Sequence, residues 1–571
     1  MSIINVGRRT PRSGQTSPGH QAGLLAVVAT IALVQVVTLI CPIRAQMDGG
    51  SPAAAELDPN FGGSGKVVTD FFGDANKAHA VAIQADGRIV VAGQAHTVTG
   101  HDDFAIVRHN VDGTIDTGFG ATGKITTDFF GANDSANAVA IQKDGRIVLA
   151  GVAGNTFSSM FGLARYNADG GLDPSFGFNG KVTTRLGGFI SANAIAIGSD
   201  GKIIVAGGSA VDAITSDFTV VRYNADGSLD KSFGSGGVVT TDFFGNDDVA
   251  NCLALEDDGK VVVAGVASSP DGVTASQFAV ARYNSNGSLD PSFGTAGRVT
   301  VSFAGKGDEA RALAIQGDGK IVVTGFATTP DGGSTDFALA RLSANGSLDA
   351  GFGAGGKVIT DFSGGADAGN ALAVQLDNKI IVVGSTASGQ GAAFALARYN
   401  PDGGLDASFG TGGVTATVFA GSDMAAAVAL QQDNKIVAAG TADDPALGAA
   451  GQEFAVARYD AGEVIPPPPP QPDFSVSIDP AIVTAARGAT IGVTVSIARI
   501  AGFAGKVTVS APGAPAGIII KPGDPVTTSD PTVTFNIKIK GKVATGEHDL
   551  TFTATDSGGR ARSATLKLIV N

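Results

Sequence analysis

Residues 224–234 read Asn-Ala-Asp-Gly-Ser-Leu-Asp-Lys-Ser-Phe-Gly, and this stretch decides the fold because its core returns along the chain. The core, Leu-Asp-x-x-Phe-Gly with Ile in place of Leu in one copy, recurs at spacings of 57 to 60 residues and begins at Leu57, Ile115, Leu172, Leu229, Leu289, Leu348 and Leu405. Self-similarity at a fixed period of this length is typical of propellers and solenoids. The sequence therefore predicts a repeat protein with seven complete copies.

Each copy contains four short segments rich in Val, Ile, Thr and Phe. Their fixed order is Gly-Lys-Val-x-Thr, Ala-x-Ala-Ile-Gln, Asp-Gly-Lys-Ile-Val-Val-Ala-Gly and Phe-Ala-x-Ala-Arg-Tyr-Asn. An Asp-Gly or Asp-Asn pair, as at 86–87 and 377–378, joins the second segment to the third. Both pairs tolerate positive φ and suit a two-residue type I′ hairpin turn. We expect one four-stranded antiparallel sheet in each copy.

The predicted strands are apolar on both faces. In residues 137–142, Ala138 and Ala140 fall on one face, and Val139 and Ile141 fall on the other. A strand of this kind needs a packing partner on each side. Seven sheets arranged radially in a closed ring provide those partners, whereas a solenoid needs polar terminal caps. The predicted fold is all-β, with a seven-bladed β-propeller at 57–460 preceded by a short segment at 47–56.

The repeat motifs resemble those of the delta-60 repeat proteins, a bacterial group interpreted as β-propellers. The resemblance rests on Asn-x-Asp-Gly-Ser-Leu-Asp-x-Ser-Phe-Gly at 224–234, which recurs with Asn286 at 284–294, and on Asp-Gly-Lys-Ile-Val-Val at 318–323. It covers roughly residues 57–460. The resemblance implies the propeller fold and carries little information about activity.

The first 46 residues have the pattern of an export signal. Arg8, Arg9 and Arg12 precede an apolar run at 22–41, and a small residue, Ala45, follows it. This order predicts a signal peptide at 1–46 and an extracellular, cell-surface or periplasmic location. An uncleaved membrane anchor is the alternative, because the run is long enough to span a bilayer.

The C-terminal part of the chain has a different pattern. Prolines at 466–470 and 472 predict a stiff linker at 461–472. Polar and apolar residues then alternate, as at 474–478, 491–497 and 533–539, which predicts about seven strands and a β-sandwich at 473–571. Segments 502–507 and 514–517 resemble bacterial immunoglobulin-like modules, which implies a spacer or docking role.

The charge balance excludes some partners. The formal net charge is −14, and the acidic excess lies between the leader and the tail. Such a surface repels nucleic acid backbones and anionic lipid. It suits a cationic partner or a divalent ion, although surface charge also serves solubility.

Two charged residues recur in every copy. The arginines are Arg108, Arg165, Arg222, Arg282, Arg341, Arg398 and Arg458. The aspartates are Asp58, Asp116, Asp173, Asp230, Asp290, Asp349 and Asp406. A group that catalysis needs once would not recur in every copy, so we interpret both sets as structural anchors that form ion pairs or hydrogen bonds.

The loop Asn167-x-Asp169-Gly-x-x-Asp173 resembles half of a calcium loop. Calcium prefers six or more oxygen ligands, and Asn and Asp are also ordinary turn formers. The turn interpretation is favoured, with calcium as the alternative and no other cofactor predicted. Neither a nucleophile elbow nor a phosphate loop is legible, so no catalytic residue is assigned.

Sequence variation between the copies is concentrated in the loop between the third and fourth segments, which we call the third loop. These loops are residues 94–103, 152–160, 208–217, 266–277, 326–336, 385–393 and 441–453. Variable loops on a rigid scaffold are where recognition usually occurs, although neutral drift gives the same pattern. We hypothesise an exported, non-enzymatic binding or scaffold protein whose loop face recognises a protein or glycan. The alternatives are a propeller hydrolase or lyase acting on polysaccharide, which carboxylates near the central channel would favour, and a structural envelope protein.

Overall fold

A computed structural model describes residues 55–154, 158–188, 190–210, 215–269, 276–303, 307–362, 364–388, 391–444, 451–462, 473–500, 505–523, 525–557 and 559–571. The chain divides into two compact units, Met1–Ile465 and Pro466–Asn571. In the described part of the chain, no helix is long and apolar enough to cross a membrane. The predicted signal peptide and most of the predicted linker lie outside the described residues.

The described residues of the first unit form seven four-stranded antiparallel sheets, and the strands are numbered in chain order. The first strands of the sheets are β2 (Asn76–Ile83), β6 (Ser135–Ile141), β10 (Ile190–Ile197), β14 (Asp248–Leu255), β18 (Asp308–Ile315), β22 (Asp367–Val374) and β26 (Met424–Leu430). The second strands are β3 (Ile89–His96), β7 (Ile147–Gly154), β11 (Ile203–Ala210), β15 (Val261–Ser268), β19 (Ile321–Thr328), β23 (Ile380–Ser388) and β27 (Ile436–Asp443). The third strands are β4 (Asp102–His109), β8 (Ser159–Tyr166), β12 (Ser216–Tyr223), β16 (Ser276–Tyr283), β20 (Thr335–Leu342), β24 (Gly391–Tyr399) and β28 (Gln452–Tyr459). The fourth strands are β5 (Lys124–Thr127), β9 (Lys181–Thr184), β13 (Val238–Thr241), β17 (Arg298–Val301), β21 (Lys357–Thr360), β25 (Val414–Thr417) and β1 (Lys66–Thr69).

The seven first strands form a cycle of contacts. Each contacts the first strand of the next sheet, and β26 contacts β2. Strand β1 completes the last sheet by pairing with β28, with Lys66 opposite Ala457 and Thr69 opposite Phe454. The first strands are therefore innermost, and the N-terminal and C-terminal ends of the unit are joined in one sheet. This arrangement is that of a β-propeller.

The hairpin between the first and second strands differs from the predicted two-residue type I′ turn. The Gln84 N–H donates to the Arg88 carbonyl at 2.8 Å, and the Gly87 N–H donates to the Gln84 carbonyl at 2.9 Å. The loop thus has three residues, and the last of them, Gly87, has a φ of +84°. Asn378 and Asn434 take the same position with a φ of +63°. The type I′ prediction was wrong because one left-handed residue after an ordinary turn is sufficient here.

Aromatic side chains fill the space between neighbouring sheets. Tyr166 is fully buried, and its hydroxyl lies 2.8 Å from Thr127 Oγ1 on the fourth strand of the preceding sheet. Phe119 and Phe176, from the Leu-Asp-x-x-Phe-Gly motif, are also fully buried. Burial of each such side chain contributes about 1.5–3 kcal/mol, so the repeated motif secures each interface between sheets.

The connections between strands divide this unit into two faces. The turns between first and second strands and the Leu-Asp-x-x-Phe-Gly connections lie on one face, which we call the hairpin face. The third loops join the second strand of each sheet to the third strand. These loops and the connections from each fourth strand to the next sheet lie on the other face, which we call the variable-loop face. The third loops at 94–103 and 326–336 are described throughout, whereas the other five pass partly outside the described residues.

The second unit is a two-sheet β-sandwich. Its strands are β29 (Asp473–Asp479), β30 (Ile482–Ala485), β31 (Thr490–Ile500), β32 (Val507–Ser510), β33 (Ile518–Lys521), β34 (Val526–Thr528), β35 (Thr532–Ile539), β36 (Gly546–Asp556) and β37 (Ala561–Val570). One sheet has the order β29-β31-β35-β33 and the other β30-β37-β36-β32-β34. The rings of Phe535 and Phe552 lie 5.1 Å apart and join the two sheets in one core. The described residues form nine strands rather than the seven expected, because several short strands lack a clear alternation.

Candidate functional site

An arginine on the hairpin face clamps each sheet to the next. Arg165 Nε donates to Asp173 Oδ2 at 2.9 Å, and its guanidinium lies 4.4 Å from the centre of the Phe176 ring. Arg165 Nη1 also donates to the backbone carbonyl of Ala225 in the following repeat. Arg165 and Asp173 are both nearly fully buried. One side chain therefore joins an acid and an aromatic ring of its own sheet to the backbone of the next sheet.

The same clamp occurs in all seven repeats. The arginine–aspartate pairs are Arg108–Asp116, Arg165–Asp173, Arg222–Asp230, Arg282–Asp290, Arg341–Asp349, Arg398–Asp406 and Arg458–Asp58. The corresponding backbone carbonyls belong to Ala168, Ala225, Ser285, Ala344, Pro401, Ala461 and Val111. Arg458, near the end of the unit, thus reaches the first repeat and contributes to closing the ring.

The aspartates of the clamp are held as carboxylates. Burial alone would raise the pKa of Asp58, but hydrogen bonds from Lys435 and Asn60 and the charge of Arg458 lower it to about 2. The pKa of Asp406 is also lowered to about 2, against the effect of burial, by hydrogen bonds from Ser408 and Lys379. These groups are committed to the framework of the hairpin face.

The loop that resembles half of a calcium site is folded as a turn. Asp173 accepts hydrogen bonds from Arg165 and Ser175, and Asp169 Oδ1 accepts the Gly171 N–H at 2.9 Å. The Asn167 N–H donates to the Gly171 carbonyl at 2.8 Å. The side chains of Asp169 and Asp173 and the backbone of Asn167, the three residues that the sequence singles out, are thus engaged in local hydrogen bonds.

A β-bulge interrupts every innermost strand at the same place. The residues at the bulge are His79, Asn137, Asn193, Asn251, Arg311, Asn370 and Ala426. A bulge changes the direction of a side chain relative to the regular strand. Six of these seven residues are polar, although the strands around them are rich in alanine and other apolar residues.

Most bulge residues donate a hydrogen bond to the next innermost strand. Asn137 Nδ2 lies 2.9 Å from the Ala192 carbonyl oxygen, and Asn193 Nδ2 lies 2.9 Å from that of Ala250. The acceptors for Asn251 and Asn370 are the Ala310 and Ala425 carbonyls, and His79 Nδ1 lies 3.2 Å from the Ala136 carbonyl oxygen. Burial lowers the pKa of His79 to about 4, so its ring is neutral at pH 7. We call the seven bulge residues together the polar ring. Their hydrogen bonds hold the innermost strands to one another.

The polar ring changes character at Arg311. This side chain binds Glu309 on its own strand through contacts of 2.9 and 3.1 Å and lies 5.0 Å from the centre of the Phe326 ring. Glu309 Oε1 also accepts a hydrogen bond from Asn251. The Glu309 carboxylate beside the polar ring is therefore neutralised by the Arg311 guanidinium and is not paired with a second acid among the described residues.

Among the residues that the structure describes, three groups of aspartates lie on the variable-loop face, each between two neighbouring sheets. We call them the acidic triads, and they are Asp103–Asp128–Asp134, Asp217–Asp242–Asp248 and Asp336–Asp361–Asp367. In each triad the first residue is near the start of a third strand, the second follows the fourth strand, and the last is at or just before the start of the next sheet's first strand. One carboxylate oxygen from each member lies within 4.8 Å of those of the other two. Sequence reasoning did not find the triads, because their members are 6 to 31 residues apart.

Burial raises the pKa values of triad aspartates, which makes these groups weaker acids. The pKa of Asp103 is raised to about 6 by burial and by the charge of Asp128. Burial raises the pKa of Asp134 to about 7, even though its carboxylate accepts the Phe129 and Gly154 N–H groups at 2.8 Å each. Burial raises the pKa of Asp248 to about 7 and also raises that of Asp367. Perturbed acids of this kind often mark functional sites.

The variable-loop face also exposes aromatic rings. In the segment Asp-Phe-Phe-Gly at 70–73 and 128–131, which follows a fourth strand, the first phenylalanine is buried. The ring centre of Phe129 lies 4.9 Å from that of Phe104, which is on the third strand of the same sheet. In these two segments the second phenylalanine is exposed, with Phe72 at 47% and Phe130 at 52%. Acids and exposed aromatic rings therefore lie side by side on this face.

The sequence of the repeats is similar to one known family. A family model described as "Domain of unknown function (DUF5122) beta-propeller" matches residues 84–119, 142–176, 198–233, 256–293, 316–352 and 375–409. None of the curated proteins compared with the chain matches it.

Solved structures give weak likenesses. Sucrose-6-phosphate hydrolase from Lactobacillus gasseri has a TM-score of 0.28 at 11% identity, with 66% of this chain and 86% of that chain covered. The trypsin-activated alpha-2-macroglobulin from Escherichia coli has a TM-score of 0.16 at 12% identity, with 87% and 48% covered. At these scores the likenesses carry no conclusion about activity. The six family matches and the seven sheets identify the chain as a β-propeller repeat protein.

Proposed function

We propose that this is an exported binding protein that recognises a glycan through its variable-loop face. In this proposal residues 57–460 form one seven-bladed propeller of the delta-60 type, and the C-terminal sandwich is an immunoglobulin-like spacer. The observation that carries the proposal is the difference between the faces. The hairpin face is occupied by seven repeated clamps, whereas the variable-loop face carries divergent loops, exposed rings and clustered carboxylates.

The composition of the variable-loop face favours a glycan over a protein. Sugars present C–H surfaces that pack against aromatic rings, and hydroxyl groups that donate to carboxylates. Phe72 and Phe130 offer such rings, and Asp70 and Asp128 begin the same two loops. A protein ligand is the second outcome that a binding screen distinguishes.

The distribution of carboxylates favours binding over hydrolysis. In the described part of this face, groups of three converging acids occur as three similar triads between sheets. The last acid of each triad caps a turn, as Asp134 does for the Phe129 N–H. A catalytic acid or base is needed once and must be within reach of the substrate proton. Turnover of a polysaccharide would instead favour the hydrolase or lyase.

The proposal is tested by screening the purified protein against glycan and protein panels and measuring the affinity of each hit. Phe72→Ala combined with Phe130→Ala is expected to weaken glycan binding about tenfold or more, since aromatic side chains often dominate an interface. Phe178 is the matched control because it is 80% exposed but lies in a Leu-Asp-x-x-Phe-Gly connection on the hairpin face. Glycan binding that survives the double substitution, or that Phe178→Ala abolishes, would overturn the proposal.

Export is tested separately. Cell fractionation is expected to place the protein outside the cytoplasm, and N-terminal sequencing is expected to find a chain that begins near residue 47. A cytoplasmic protein that retains Arg8 and Arg9 would contradict export.

A further inference from the structure

We propose that Asp103, Asp128 and Asp134 form a calcium site on the variable-loop face. One carboxylate oxygen from each residue lies within 4.8 Å of those of the other two, so a single ion can contact all three. The site is defined by this chain's own side chains and does not depend on what the face recognises.

The donor set matches a hard divalent cation. All ligand atoms that the three carboxylates offer are oxygens. Ca²⁺ takes six to eight oxygen ligands at about 2.3–2.6 Å in a flexible geometry. Asp128 is exposed at the surface, so water can complete the coordination. Mg²⁺ demands near-ideal octahedral geometry at shorter distances, which makes it the less suitable ion.

Asp103 provides the second observation. It is only 8% exposed, and within the described part of the chain its carboxylate has neither a hydrogen-bond donor nor an ion-pair partner. A buried carboxylate without a partner is costly, whereas each of the seven clamp aspartates on the hairpin face, such as Asp173, accepts a hydrogen bond from an arginine. A cation held among the three oxygens would supply the missing positive charge.

The other two ligands are held in place by backbone groups. Asp134 accepts the Phe129 and Gly154 N–H groups, and Asp128 Oδ1 accepts the Gly131 N–H at 2.6 Å. A carboxylate has about four lone-pair sites, so each retains capacity for a metal ion. The nearby ammonium of Lys181 donates to the Asp128 backbone carbonyl at 2.9 Å rather than to a triad carboxylate.

The other interfaces between sheets show that this acidity is not a requirement of the fold. Two further triads repeat the arrangement, which predicts up to three bound ions. At the corresponding positions after the second sheet the chain has Met160, Arg185 and Ile190. The repeat therefore closes without three acids at this place, and the triads are a separate feature.

The site is tested by titrating CaCl₂ into the chelator-treated protein at pH 7.5, with calorimetry and thermal melting as readouts. We expect saturable binding with a stoichiometry of up to three and a higher melting temperature. Asp128→Asn is the primary variant because an exposed side chain tolerates substitution, and Asp103→Asn is the second. Each is expected to remove one binding event, while Asp144→Asn, an exposed acid of the hairpin face, removes none.

Three results would overturn the proposal. The first is the lack of saturable calcium binding by the unsubstituted protein. The second is an unchanged stoichiometry in both Asp128→Asn and Asp103→Asn when melting shows that the variants are folded. The third is tighter binding of MgCl₂ than of CaCl₂ in a parallel titration, which would contradict the assignment to calcium.

Discussion

Buried aspartates on the hairpin face meet arginines, whereas those of the acidic triads meet backbone N–H groups and other aspartates. The consequence is opposite acidity for one residue type. The pKa of Asp58 falls to about 2, because hydrogen bonds and the charge of Arg458 outweigh burial. The pKa of Asp134 rises to about 7, because its two backbone hydrogen bonds do not offset burial. An arginine beside each clamp aspartate thus distinguishes the hairpin face, which is framework, from the variable-loop face, which we propose binds a ligand.

The largest expected effect is the loss of a clamp. Arg165→Ala leaves Asp173 buried beside an empty space and removes the contact with the Phe176 ring. Breaking a buried ion pair on one side costs about 3–5 kcal/mol, so we expect the free energy of unfolding to fall by this amount in a denaturant titration.

A neighbouring arginine supplies the control for that experiment. Arg146 lies 3.3 Å from the same Asp173 carboxylate, but its side chain is 40% exposed. Exposed ion pairs contribute about 0–1 kcal/mol, so Arg146→Ala is expected to have a small effect. Equal decreases in the free energy of unfolding for Arg146→Ala and Arg165→Ala would show that burial does not distinguish the two contacts.

The comparison of faces also predicts substitutions of opposite sign. Asp103→Asn is expected to stabilise the calcium-free protein by about 1–2 kcal/mol at pH 8, because it removes a buried carboxylate without a partner. Asp173→Asn is expected to destabilise the protein at the same pH, because the Arg165 guanidinium loses its counter-charge. Denaturant unfolding in chelator at several pH values measures both.

The pH dependence follows from the direction of each shift. The folded pKa of Asp103 is above its ordinary value of 3.8, so its carboxylate destabilises the folded state above about pH 6, and the penalty disappears as the pH falls to about 4. The folded pKa of Asp173 is below 3.8, so its contribution is present above that pH and is lost as the pH falls through the folded value. If Asp103→Asn still increased the free energy of unfolding at pH 3.5, the increase could not be explained by removal of a buried negative charge.

The repeat period and the four-strand pattern were predictable because they depend on local signals. Turn residues and alternating apolar residues recur within each copy, and the family matches and the seven sheets confirm a propeller repeat protein. Which strand is innermost was not predictable, since strands that are apolar on both faces have similar sequence patterns whatever their place in the sheet. The pairing of β1 with β28 joins residues almost 400 positions apart, a distance at which sequence pattern carries no register.

The candidate site was less predictable for a related reason. The acidic triads bring together residues from two sheets, and the members are ordinary acids next to turns. Asp103 and Asp128 look alike in sequence, yet one is buried and the other exposed. A usable signal did exist for the polar ring, because a polar residue recurs at one position of an apolar strand, as Asn137 and Asn193 do.

The smallest expected effect concerns Ala426, the apolar member of the polar ring. Ala426→Asn would place an amide where Asn370 and Asn137 donate to the next innermost strand, and the acceptor in this case is the Ala78 carbonyl. A net hydrogen bond contributes about 0.5–1.5 kcal/mol, so we expect a gain in the free energy of unfolding within that range. Ala426→Leu, which adds volume without a donor, is the control and is expected to destabilise the buried site. If both variants lose stability alike, the ring of hydrogen bonds is secondary to the close packing of small side chains along the innermost strands. The framework that supports the variable-loop face would then depend mainly on the clamps of the opposite face.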